Sequence, residues 1–322
     1  MSWEKHYQPP DAKFWQGRAD TPPNSCFFQI IQCVDLTKAS LAHPQTFALL
    51  GFRCDQGIRR NLGRIGAEEG PVAIRETLAK LSIPPKKFVC LDVGDITCTD
   101  GDLEGAQQAL GEAVSLLLKN QITPIVIGGG HELAWGHYQG ILKKFPHEAL
   151  GIVNFDAHFD MRPLLANNLG SSGTPFLQIA QEEQRTQRQL DYNCIGIQSA
   201  GNIQALFETA DKYQVSTILA DEIHQGQLAK CFGLIDRVIS QNHIIYLSLC
   251  LDVFAAAYAP GVSAPQSLGI TPWQIIPFIQ QLATSGKVIS YDIAELSPKY
   301  DIDSRTAKLA ANFIYQIISH HE

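Results

Sequence analysis

Carboxylates and imidazoles gather at four places in this 322-residue chain, each where an apolar run ends. The sharpest is Asp156-Ala157-His158-Phe159-Asp160, which follows GIVNF. In extended backbone, residues two apart point the same way, so Asp156, His158 and Asp160 share one side. A buried carboxylate is costly unless it is paired or bound to a metal. Such a stripe makes a poor solvated loop and a good set of metal ligands. After TPIVI comes Gly128-Gly129-Gly130-His131-Glu132. This is neither a GxxxxGK[ST] phosphate loop nor a GxGxxG dinucleotide turn. Its glycines permit a tight turn that projects His131 at a strand end, and a helix N-terminus with an ordinary histidine fits the same residues equally well. After HIIYLSL comes Cys250-Leu251-Asp252, again at two-residue spacing. Asp252 is a ligand or a helix cap, and Cys250 alone is a core thiol. After KVISYDI comes Glu295, with Asp292 just before it; taken alone, Glu295 is a surface carboxylate.

Together these groups have a chemistry. Two hard cations sharing carboxylate and imidazole ligands can bind a bridging water and lower its pKa from about 15.7 toward 7, making a nucleophile for an electrophilic carbon. Carboxylate-rich ligation favours Mn, Mg or Ca over Zn, and imidazole shifts the balance toward the transition metals. The residues alone therefore point to a dinuclear hydrolase of unspecified substrate.

Such groups need elements that hold them at one place. Eight runs of β-branched and aromatic residues, bounded by Gly, Pro, Asp or Asn, predict strands at 47–52, 88–93, 123–128, 149–155, 192–197, 215–219, 243–249 and 287–292. Helix-period segments lie between them, with Leu103, Ala106, Leu110, Val114 and Leu117 on one face of 102–118, and Leu309, Phe313, Ile314 and Ile317 on one face of 304–318. Apolar strands alternating with amphipathic helices imply a parallel sheet covered on both faces. A barrel would also use eight strands, but the connection 160–173 is a long loop rather than a helix. The expected fold is α/β, a three-layer αβα arrangement around an open, mainly parallel eight-stranded sheet, with ligands at the carboxyl ends of its strands. Residues 1–45, rich in Pro, Gln and Asp, are expected to form an extended arm that wraps the body at a subunit contact, and residues 46–322 one catalytic domain.

With 45% hydrophobic and 18% charged residues the chain can bury a substantial core. A formal net charge of −7 without a basic run argues against nucleic acid as a partner. None of the eight cysteines forms a CxxC pair and several sit in apolar runs, the pattern of free thiols in a reducing compartment. The N-terminus has charges and prolines where a signal peptide needs an apolar core, and no stretch approaches membrane-spanning length. The expectation is a soluble cytoplasmic protein without a membrane partner.

The sequence resembles the ureohydrolase superfamily of arginases, agmatinases and formimidoylglutamases. That family's GG-x-H, DAHxD and SxDxD motifs appear in order as GGGH (128–131), DAHFD (156–160) and SLCLD (248–252). GIRRNLGRIGAEEGPVAIRETL (57–78) resembles its stretch leading to GP-x-AIR, and DIAELSPKYDIDSRTAKLAA (292–311) its closing segment. The match spans roughly residues 45–315. The resemblance implies that His131, Asp156 and Asp160 hold one metal, that His158 and Asp252 hold a second, and that Asp156 bridges the two, with Mn²⁺ as the expected ion. It implies that Glu295 clamps the cationic amidine or guanidine of a small-molecule substrate, that Asp160 is a candidate donor of the proton to the leaving nitrogen, and that the protein is a homo-oligomer.

Two departures stand out. The GGGH loop has glycine where arginases and agmatinases usually have Asp. Cys250 occupies the place of a bridging aspartate, offering one soft sulfur where a carboxylate offers two hard oxygens. It either ligates as a thiolate or leaves one metal weakly held. Arg162 stands where arginases carry Asn, and an arginine there suits a substrate with an extra carboxylate because its planar fork pairs bidentately. Ser171, Ser172 and Thr174 in the loop NNLGSSGTPF share that task. FDMRP, SSGTPF, LSLCLDVF and APGVSAPQSLG are similar to the formimidoylglutamase branch, which implies hydrolysis of N-formimidoyl-L-glutamate to glutamate and formamide in histidine degradation. The alternatives are a urea-releasing agmatinase or guanidino-acid hydrolase, and a catalytically degenerate subunit of the same fold.

Overall fold

The computed structural model describes residues 2–38 and 46–322. Its strands, in chain order, are β1 (Tyr7–Gln8), β2 (Gln32–Cys33), β3 (Thr46–Arg53), β4 (Val89–Thr97), β5 (Thr123–Ile127), β6 (Leu150–Phe155), β7 (Asp191–Ile197), β8 (Ser216–Leu219), β9 (Ile244–Cys250) and β10 (Val288–Ala294). All eight runs expected as strands form β3 to β10. The sheet is nevertheless ten-stranded rather than eight-stranded, because β1 and β2 add to the outer edge of β4. Two-residue strands are too short to carry an alternation signal; the unpaired backbone of the edge strand recruits them. The end of the expected arm, residues 39–45, lies outside the described residues.

Across the sheet the order is β1–β4–β3–β5–β10–β9–β6–β7–β8, with β2 also along β4. The strands from β3 to β10 pair in parallel, and β1 runs antiparallel to β4. The two ends of this order do not pair, so the sheet is open.

Alternation along each strand sorts side chains between two cores. Val126, Ile152 and Tyr246 pack with the helices Leu103–Lys119, Leu133–Lys144 and Pro175–Arg185. Their neighbours Ile125, Ile127, Val153, Phe155, Leu247 and Leu249 face the helices Gly70–Leu78, Leu228–Gln241, Pro272–Ala283 and Arg305–His320. This is the three-layer arrangement. The arm is tied to the body by Trp15, whose Nε1 donates to Asp92 Oδ2 at 2.8 Å, beside a buried pairing of Arg75 with Asp92 (2.9 Å) and Asp95 (2.6 Å). Among the described residues no helix is long and apolar enough to cross a membrane.

Candidate metal centre

Four neighbouring strands, β5, β10, β9 and β6, deliver every expected ligand. Being parallel, they end on the same side, and between β5 and β6 the chain crosses over two strands, which opens the crevice where α/β sheets bind ligands. At the end of β5, Gly128 and Gly129 take φ values of 75° and 74°. A Cβ on Gly129 would lie 2.5 Å from the Phe52 carbonyl oxygen, so the turn requires glycine. Gly128 N donates to Ile293 O, and Glu295 N to Gly129 O, both at 2.8 Å. These bonds stitch the exits of β5 and β10 together and place His131 beside Glu295. Asp160 (φ 48°) and Glu295 (φ 75°) are themselves in the left-handed region, a conformation that costs on the order of 1–3 kcal/mol and collects at functional sites.

Asp156 sits at the centre. Its Oδ2 lies 2.9 Å from His131 Nδ1, and its Oδ1 3.7 Å from His158 Nδ1. His131 Nδ1 is also 3.0 Å from Asp160 Oδ2, and His158 Nδ1 is 3.0 Å from Asp252 Oδ2. The donor atoms of His131, Asp156 and Cys250 fall within 4.8 Å of one another, and so do those of Asp156, His158 and Asp252. Two groups of residues that could each hold a metal therefore share one aspartate. The Cys250 sulfur faces this space, not the opposite side of β9, and donates to Asp252 Oδ1 at 3.0 Å.

The electrostatics match a site built for cations. Burial works against charge on Asp156, yet His131 and His158 hold it below the usual carboxylate range. Burial, then the Asp156 charge, push Asp160 up to about 6. Burial, then Asp252, push Glu295 up to about 7. Burial and the charges of Asp156 and Asp252 hold the Cys250 thiol well above its ordinary value. For His131 burial acts downward, but Asp156 and Asp160 carry it well above the histidine range. His131 Nδ1 nonetheless has no well-directed hydrogen bond, although two carboxylate oxygens lie at 2.9 and 3.0 Å. A buried ring nitrogen left that way beside two carboxylates and a thiol fits divalent cations better than protons.

A cavity of about 210 Å³ opens over the cluster, lined by His158, Asp160, Cys250, Asp252 and Glu295, and on its outer side by Arg162, Ser172, Asn61 and Ser263. Glu295 Oε1 accepts from the His131 backbone N–H at 3.0 Å, while its buried Oε2 makes no well-directed hydrogen bond, although the Ser263 side chain lies beside the carboxylate. Arg162 is exposed at the cavity mouth. The expected substrate loop divides. Ser172 lines the cavity, where it accepts a hydrogen bond from Asn61 Nδ2 at 3.1 Å. Ser171 and Thr174 are bonded within the loop, Ser171 N to Thr174 Oγ1 at 2.9 Å and Thr174 Oγ1 to Ser171 O at 3.0 Å. A larger surface depression, about 700 Å³, lies at the opposite end of the sheet around Pro146 and Thr186, and its Arg188 and Arg237 are already paired with Glu183 and Asp191.

Sequence reasoning missed several supports. Asn61 lies inside the GIRRNLGRIG stretch, whose glycines and arginines were the available signal. Asn154 donates to Asp156 Oδ2 (3.1 Å), and Asn202 braces the DAHFD segment by accepting from Phe159 N (3.2 Å) and donating to Ala157 O (2.9 Å). Single asparagines far apart in sequence give no pattern.

Residues 45–319 match the Arginase family. The chain is 44% identical over 313 residues to the formimidoylglutamase of Legionella pneumophila (strain Lens), covering 97% of each chain. It is 41% identical to the formimidoylglutamase of Geobacillus sp. (strain WCH70), covering 98% of this chain and 96% of that one. Among solved structures it resembles Trypanosoma cruzi formiminoglutamase with Mn²⁺, with a TM-score of 0.78 and 25% identity over 86% of this chain and 93% of that one. Bacillus subtilis formimidoylglutamase shares the fold, with a TM-score of 0.81 over 95% and 93% at 21% identity. A match over most of its length, carried by motifs that the fold gathers into one cluster, establishes that this chain belongs to the arginase family.

Proposed function

We propose that the chain hydrolyses N-formimidoyl-L-glutamate to L-glutamate and formamide, with two Mn²⁺ ions held by His131, Asp156, Asp160 and Cys250 on one side and by Asp156, His158 and Asp252 on the other. The observation that supports this is the convergence of five donor residues around one shared aspartate in a chain 44% identical to a formimidoylglutamase. When bound, such a pair of cations supplies a water that is nucleophilic at neutral pH. The chain's own residues do the rest. Glu295, whose buried Oε2 makes no well-directed hydrogen bond, pairs with the cationic amidine and sets its carbon over the cluster. Arg162 and Ser172 take the glutamate carboxylates at the mouth. Asp160 takes up the proton released as the water attacks and passes it to the glutamate nitrogen as the C–N bond breaks. Oxygen from water thus ends on the formyl carbon, and the nitrogen leaves as the amine of glutamate. The reading includes a cytoplasmic homo-oligomer, which sedimentation of the purified protein tests.

The deciding experiment supplies Mn²⁺-loaded protein with formimidoylglutamate, arginine and agmatine in parallel. The expected products are formamide and glutamate from the first substrate alone. Urea from arginine or agmatine overturns the substrate, and no turnover of any of them overturns the enzymatic reading.

A further inference from the structure

Beneath the cluster lies a buried polar chain that the proposed reaction does not use. His131 Nε2, the ring nitrogen facing away from the carboxylates, is 2.9 Å from Ser248 Oγ. Ser248 Oγ donates to Asp292 Oδ1 at 2.7 Å. Asp292 Oδ2 accepts from the Tyr246 hydroxyl and lies 2.9 Å from His137 Nδ1, while His137 Nε2 meets Ser290 Oγ. His131, Ser248 and Asp292 are each at most 1% exposed. Burying an aspartate and a serine in the middle of a parallel sheet is unfavourable unless their hydrogen bonds are met, and here register meets them. Asp292 and Ser248 are direct neighbours on β10 and β9, and alternation puts Tyr246, Ser248 and Cys250 on one face with Ser290 and Asp292.

The direction of this chain is fixed by its end. Asp292 is a carboxylate and only accepts, so the Ser248 proton goes to it. Ser248 Oγ then has only lone pairs for His131, and His131 must donate from Nε2. A ring that keeps its proton on Nε2 presents the Nδ1 lone pair to Asp156, Asp160 and Cys250. The same carboxylate reaches His137 on the helix Leu133–Lys144, whose first residue comes two after His131. Ring and helix start are thereby fixed against one group on β10.

We propose that Ser248 and Asp292 are positioning residues that hold His131 with Nδ1 aimed at the metal cluster; this rests on the reading of His131 as a ligand. Partners of this kind typically change metal affinity 10- to 100-fold when removed. The test is calorimetric titration of the metal-free full chain with Mn²⁺, alongside its melting temperature, for Ser248→Ala, Asp292→Asn and the double variant. Ser248→Ala is expected to weaken Mn²⁺ binding about 10- to 100-fold with little change in the metal-free melting temperature. Because the two residues act in series, the double variant is expected to lose no more than Asp292→Asn alone. A lower melting temperature with unchanged Mn²⁺ affinity overturns the proposal in favour of a purely structural role, and so do additive losses. If Asp292→Asn does not fold, Ser248→Ala decides alone by the same criterion. His131→Ala separates the two levels. If it loses a metal while Ser248→Ala binds like the parent, only the positioning role falls; if it keeps both metals, the ligand reading falls with it.

Discussion

Arg162 is the only Lys or Arg lining the cavity, and among the described residues its guanidinium has no ion-pair or hydrogen-bond partner. An exposed guanidinium at the cavity mouth is free to pair with a substrate carboxylate under the proposed function. A charge-assisted bond to a substrate carboxylate contributes about 1.5–3 kcal/mol. Arg162→Ala is therefore expected to raise KM for formimidoylglutamate roughly tenfold to a hundredfold while kcat changes much less, since this contact is the same in ground and transition states. Steady-state kinetics measure this, and an unchanged KM would show a rim charge without a substrate role. At Cys250 the issue is softness. Replacing its sulfur by a carboxylate would give an all-hard ligand set for Mn²⁺, so Cys250→Asp is expected to tighten Mn²⁺ binding at that site. Equal or weaker Mn²⁺ binding in a titration of that variant would count against sulfur as a ligand.

The two helices Leu103–Lys119 and Leu133–Lys144 cross closely because glycine lies at the contact. A Cβ on Gly136 would come within 2.6 Å of the Gln107 carbonyl oxygen and 2.9 Å of its Cα. Gln107 also donates from Nε2 to Glu132 O at 2.7 Å, at the start of the helix that follows His131. Alanine favours a helix over glycine by about 1 kcal/mol, but here backbone must move against backbone, and overpacking of this kind costs about 1–3 kcal/mol. Gly136→Ala is expected to lower the melting temperature of the metal-free protein despite its better propensity; a rise would mean that the helices separate freely. The element boundaries themselves were legible. Expected strands agree with β3 to β10 to within a few residues, because buried parallel strands are continuous apolar runs. β1 and β2 were not, since their pairing is imposed by the free edge of β4.

Over the whole molecule, the C-terminal helix carries His321 back onto the sheet at the end opposite the metal centre. Its ring packs edge-on against Phe47 and Tyr291, Nδ1 meets the Tyr291 hydroxyl at 2.8 Å, and Lys86 Nζ donates to its carbonyl at 2.6 Å. Burial, then the Lys86 charge, depress its pKa to about 4 from the ordinary 6.5. The neutral ring is thus favoured in the fold. This contribution is fully present above about 6.5 and is lost as pH falls toward 4, because the unfolded chain binds the proton first; the whole effect is roughly 3 kcal/mol. His321→Gln loses the ring contacts at pH 7.5 but also this slope. Urea unfolding of the metal-free proteins should show the parent's advantage shrinking between pH 7.5 and pH 5. An advantage constant with pH would mean that His321 titrates normally in the fold.

The sequence by itself placed Asp156, His158 and Asp160 together just past an apolar strand, and it determined the layered α/β class through the alternation of apolar strands and amphipathic helices. The segment is not the extended stripe expected, since it bends at Ala157–His158 and Asp160 takes φ 48°, so the fold decided how the three converge. It named His131, Asp252 and Glu295 as strand-end groups but could not say that they meet, since they come from β5, β9 and β10, and strand order is not written in any local pattern. Only the tertiary structure set those strands side by side and brought two oxygens of Asp156 between two histidines. It alone turned Cys250 inward, a choice of strand face that depends on the register of β9 against β6 and β10. It alone linked Asp292 to His131 through Ser248. A hydrogen-bonded chain across three segments is a property of packing, and the residues that form it look, one at a time, like ordinary members of a core.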